Sequence, residues 1–101
     1  KMMVKDKIIM RFITRLESII DFNLVEIVDY WDGDLLAIGI KRGSKLVYLA
    51  VNRSTNGRTI TYDYDLEIIN VNQVDDIDVI KEVRNMSEHE TIEEIRNFLN
   101  I

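Results

Sequence analysis

Between residues 24 and 66, three glycine-containing turns cut the chain into four runs, each too short for a long helix and too apolar for a loop. LVEIVDYW (24–31) ends at Asp32-Gly33, LLAIGIK (35–41) at Arg42-Gly43-Ser44, and LVYLAVN (46–52) at a loop closing on Asn56-Gly57; TITYDYDL (59–66) completes the set. Asp-Gly and Asn-Gly supply the positive φ angles that tight hairpin turns require. Strands joined this way pair with their chain neighbours, so the expected product is a four-stranded antiparallel meander.

The second and third runs are almost continuously apolar, which predicts strands covered on both faces. The fourth alternates: Ile60, Tyr62, Tyr64 and Leu66 face one way, while Thr59, Thr61, Asp63 and Asp65 face the other. One wet face and its charges place that strand at an edge of the expected sheet.

Helical signals flank the strands. In residues 4–21, Ile9, Phe12, Ile13, Leu16, Ile19 and Ile20 recur at three- and four-residue steps, with Lys7, Arg11 and Arg15 on another face. Ser87 with Glu90 forms a capping box ahead of the stripe Ile92, Ile95, Phe98 and Leu99, which predicts a helix over 88–99. For residues 74–85 the spacing of Val74, Ile77, Ile80 and Val83 favours a helix, with Asp75 and Asp76 at its positive end, although Ile77 and Val79 also permit a fifth strand. The expected fold is one α+β domain over residues 1–101, its helices packed on one sheet face.

Composition narrows the function. The 101 residues contain no cysteine, which excludes disulfides, thiolate zinc sites and cysteine nucleophiles and agrees with a cytoplasmic location. No apolar run reaches the roughly 18 to 20 residues of a membrane span. KMMVKDKIIMRF begins like a signal peptide, but Arg11 and Arg15 interrupt it and no small-residue cleavage site follows. The first residue is Lys, so Met2 or Met3 is the expected natural start. The net charge is −5; residues 1–22 lean basic, with Lys1, Lys5, Lys7, Arg11 and Arg15 against Asp6, Glu17 and Asp21, and the chain is strongly acidic from Asp63 onward. That balance argues against nucleic acid, which needs a basic face, and for a partner protein with a basic surface.

Catalytic patterns are sparse. HETIEE (89–94) approaches the helical zinc motif H-E-x-x-H, but Glu93 stands where the second histidine belongs and His89 is the only histidine. It reads as an acidic first helical turn. Asp63, Asp65 and Glu67 line one strand face about 7 Å apart, a spacing that suits a divalent cation or an acid–base pair but that any acidic strand shows. There is no phosphate-binding glycine loop and no nucleophile elbow, and the aromatics Tyr30, Trp31, Tyr48, Tyr62 and Tyr64 have mostly acidic neighbours, the wrong sign for single-stranded nucleic acid.

VDYWDGDLLAIGIKRGSKLVYLAV resembles small uncharacterised bacterial and phage domains built on a Y-D-G-x-L turn-and-strand motif followed by a glycine turn and Y-L. Tyr30, Asp32, Gly33, Leu35, Gly43, Tyr48 and Leu49 carry the similarity, with Trp31 inserted and Asp34 where proline is common. The resemblance covers about a quarter of the chain and implies a sheet meander.

The resulting expectation is a non-enzymatic, acidic protein-binding domain without a cofactor, inhibiting or neutralising its partner in the manner of immunity proteins, antitoxins or phage counter-defence proteins. Its expected contact residues are Trp31, Asp32 and Asp34 at the first turn, with Asp63 and Asp65 on the wet strand. Two alternatives stand beside it. One is a metal-binding domain or metal-dependent enzyme using Asp63, Asp65 and Glu67, or His89 with Glu93. The other is an oligomerising module whose first helix packs on its own copy.

Overall fold

The computed structural model describes residues 5–29, 33–53, 59–70 and 76–101. Helix α1 (Lys7–Glu17) is followed by a 3-10 turn at Phe22–Leu24, five strands and helix α2 (Glu88–Leu99). The strands are β1 (Glu26–Val28), β2 (Ala37–Arg42), β3 (Lys45–Arg53), β4 (Ile60–Ile69) and β5 (Ile77–Met86). They form one antiparallel sheet in chain order, so the fold is an α+β meander of five strands rather than four.

The fifth strand is the main correction. Residues 77–86 are extended, and of the described stripe residues Ile77 at 46 % and Ile80 at 57 % are exposed while Val83 is buried. The register explains the misleading spacing. Leu66 and Glu67 pair with Lys81 and Val79, leaving Ile80 as an extra residue, and a second irregularity lies between Tyr62 and Tyr64. The bulge at Ile80 lies between Ile77, opposite Ile69 on the face that carries no helix, and Val83, opposite Tyr64 on the core face, so the three-residue spacing marks no shared face. Pairing with β5 also moves β4 from the expected edge into the sheet interior.

Other boundaries shift for local reasons. Asp6 caps α1 by accepting a hydrogen bond from the Ile8 amide at 2.9 Å, and the helix ends at Ser18, so α1 spans Lys7–Glu17 rather than 4–21. Ile19, placed in the apolar stripe by its spacing, lies beyond that end and is exposed. Among the described residues β1 spans Glu26–Val28, and Asp32 of the expected Asp32-Gly33 turn lies outside them. The Arg42–Lys45 turn is tight, with Gly43 at φ 58° in the left-handed region that glycine adopts freely. The loop with Asn56-Gly57 lies outside the described residues.

Both helices cover one sheet face. Ile9, Phe12, Leu16 and Ile20 from the first segment and Ile92, Ile95 and Leu99 from α2 join Ile38, Ile40, Val47, Leu49, Tyr62, Tyr64 and Leu66 in one core. The Phe12 and Tyr62 rings meet at 4.9 Å with a 42° tilt, and the buried Tyr62 hydroxyl, beside Glu88, is pushed up to about 12. Tyr64 donates to Glu94 Oε1 at 2.8 Å, and Lys81 Nζ reaches the same oxygen at 2.9 Å, fixing α2 to β4 and β5. Arg42 and Lys45, flanking the tight turn, donate to the carbonyls of Phe98, Leu99 and Asn100 at the negative end of α2. No described helix is long and apolar enough to cross a membrane.

Candidate functional site

The helices leave the other sheet face bare of helical cover, and the strand register fixes which side chains occupy it. Tyr48 lies opposite Asp65 and Gly39, Ala50 opposite Asp63, and Leu46 opposite Glu67. Since Val47, Leu49, Tyr64 and Leu66 point into the core, Tyr48, Ala50, Asp63, Asp65 and Glu67 point away from it. On β5, Glu82 and Arg84 join this face.

On this face a depression of about 180 Å³ is lined by Tyr48, Ala50, Asp63, Tyr64 and Arg84. Asp65 accepts a charge-assisted bond from Arg84 Nη1 at 3.0 Å. Asp63 accepts from the Asn85 amide at 2.9 Å, while Asn52 Nδ2 donates to Asn85 Oδ1 at 2.9 Å. Asn85 sits at φ 58°, so these contacts from β3 and β4 hold the left-handed residue of the second bulge. Asp63 and Asp65 therefore shape the sheet as well as its charge.

Tyr48 reports the electrostatics. Burial, then the charges of Asp34, Asp65 and Glu67, push its hydroxyl above the ordinary range, with Arg84 opposing. Asp34, from the link before β2, and Asp65, on β4, thus act on one hydroxyl. Asp34 is exposed, and its carboxylate accepts from the Leu36 amide at 3.0 Å. Its carbonyl accepts from Lys5 Nζ at 2.7 Å, and that ammonium, with a fully buried side chain, also pairs with Asp29 at 2.7 Å. Glu67 is 8 % exposed; burial, then the charge of Asp65, push its carboxyl up.

Of the five residues expected to contact a partner, Asp34, Asp63 and Asp65 come together around Tyr48; Trp31 and Asp32 lie outside the described residues. Tyr48 and Arg84 were not foreseen. Tyr48 was legible: between Val47 and Leu49, strand alternation turns it away from their face. Arg84 was hidden by the helical reading of 74–85.

Two further concavities flank the helices. A groove of about 500 Å³ runs beside Lys7, Met10, Arg11 and Thr14 of α1, and one of about 380 Å³ lies between α2 and β5, where His89 and Glu93 share the lining with Lys81. No three His, Cys, Asp or Glu side chains among the described residues are grouped to hold a metal ion. Comparison of the chain with protein-family models, with curated proteins and with solved structures gives no match.

Proposed function

We propose that this chain is a non-enzymatic protein-binding domain that presents the helix-free face of its sheet to a basic surface on a partner protein, inhibiting or neutralising that partner. The supporting observation is the strand register that sets Tyr48 beside Asp63, Asp65 and Glu67 on the sheet face that no described helix covers. A half-buried aromatic within a charged surround has the composition of an interface anchor. A self-packing first helix has less support, because Ile9, Phe12 and Leu16 are fully buried within the domain itself.

Affinity capture from host extract with the wild type and with Tyr48→Ala/Asp34→Lys tests the reading. The wild type is expected to retain a partner that the double variant loses. Equal recovery of the same proteins by both overturns it.

A further inference from the structure

Strand β5 ends the sheet, and no described strand lies beyond it. An outer strand of ten residues leaves a row of backbone N–H and C=O groups open to another chain. The first part of this edge is also apolar and uncovered. Ile77, Val79 and Ile80 are between 46 % and 57 % exposed, and no other four consecutive described residues hold three large apolar side chains so exposed. A single exposed apolar residue is ordinary, but three together on an open strand edge mark a contact surface.

The bulge decides which chain fits this edge. Asp78 lies opposite Ile68 and Lys81 opposite Leu66, two positions of β4 that share the core face. The extra residue at Ile80 therefore brings Asp78 and Lys81 to one face of β5, whereas an unbroken strand sets residues three apart on opposite faces. Ile77 and Glu82, opposite Ile69 and Asp65, share the other face. Laid antiparallel on itself about a two-fold axis between Val79 and Ile80, the strand matches its own sequence. Asp78 meets Lys81 of the second copy, Lys81 meets its Asp78, and Val79 meets Ile80 twice. Opposite charges directly across a strand pair stabilise it. Asp78 has no ion pair among the described residues, and Lys81, though bound to Glu94, keeps half of its side chain exposed.

We infer that the chain forms a two-fold dimer in which β5 pairs antiparallel with β5 of a second copy, joining two five-stranded sheets into one. An axis perpendicular to the sheet keeps both helix-free faces on the same side, so the dimer presents two acidic faces together. The pairing uses the edge of the sheet and is independent of the partner proposed for its face.

Sedimentation equilibrium of the full-length chain tests it. The mass is expected to move from one chain to two as concentration rises. Val79→Lys is expected to weaken association at least about tenfold, whereas Leu24→Lys, at an exposed apolar site just before the opposite edge strand, leaves it within about twofold. Asp78→Lys sets a second ammonium against Lys81 across the axis, and Lys81→Asp sets a second carboxylate against Asp78. Each of these variants alone is expected to keep the mass of one chain. Their equimolar mixture restores both ion pairs and is expected to recover the mass of two. A wild type that keeps the mass of one chain up to about 1 mM, equal effects of Val79→Lys and Leu24→Lys, or no recovery on mixing overturns the pairing. Should a variant lose its folded spectrum, hydrogen exchange of the wild type decides: the β5 amides gain protection with concentration if the edges pair, and unchanged protection overturns the dimer.

Discussion

Two glutamates of β4 and α2 illustrate how position decides what a carboxylate does for the fold. Glu94 is held low by its hydrogen bond to Lys81, with Tyr64 adding to the effect, so its ionised form stabilises the folded state and that support is lost on acidification. Glu67 behaves in the opposite sense. Burial and Asp65 raise it above its ordinary value near 4.5, so the folded state holds the proton more tightly than the unfolded chain. Below the unfolded value both states are protonated and the residue carries no penalty. As pH rises through that value the unfolded chain ionises first, and folding becomes less favourable until the folded pKa has been passed. Glu67→Gln cannot ionise. Its urea midpoint is therefore expected to climb relative to wild type between pH 4 and pH 7, and the two curves to run parallel below pH 4. A difference that stays constant over this range, or grows on acidification, would show that Glu67 finds a native partner.

Among the elements, β5 depends most on a single conformational exception. Asn85 adopts φ 58°, a region that asparagine tolerates far better than alanine or a β-branched residue. Its amide and side chain bind Asp63 and Asn52. Asn85→Ala imposes the left-handed cost of about 1–2 kcal/mol and also removes the Asn52 bond. Asn85→Gly removes the same bond without that backbone cost. Chemical denaturation should therefore rank wild type above Asn85→Gly and Asn85→Gly above Asn85→Ala; equal stability of the two variants would place the strain elsewhere. This element also marks the limit of what the sequence disclosed. Helix α2 was legible to the residue because Ser87 caps it and its stripe is regular. β2 and β3 were legible as short apolar runs joined by a glycine turn, and β4 by its alternation. β5 was not, since its two bulges are set by β4 and have no counterpart in local periodicity. Glu67 was visible as part of an acidic strand face; its burial depends on tertiary packing, which alternation alone does not specify.

At the scale of the molecule, the helical layer mixes Lys7 and Arg11 of α1 with Glu88, Glu90 and Glu93 of α2, while the opposite sheet face gathers Glu26, Asp34, Asp63, Asp65, Glu67 and Glu82 against Lys41 and Arg84. A basic partner approaching in solution is drawn to the second side, and that attraction acts over about 30 Å at 0.01 M salt but about 8 Å at 0.15 M. Its association rate with the captured partner should consequently fall about tenfold between those ionic strengths, with dissociation changing much less. Local charge reversals separate steering by this face from an effect of net charge. Glu82→Lys and Lys7→Glu change the net charge in opposite directions and lie on opposite layers. If the sheet face steers the encounter, Glu82→Lys slows association strongly while Lys7→Glu leaves it unchanged or slightly faster. Stopped-flow rates showing the reverse, slow association for Lys7→Glu and normal association for Glu82→Lys, would move the interface to the groove beside α1 and make the partner's docking surface acidic.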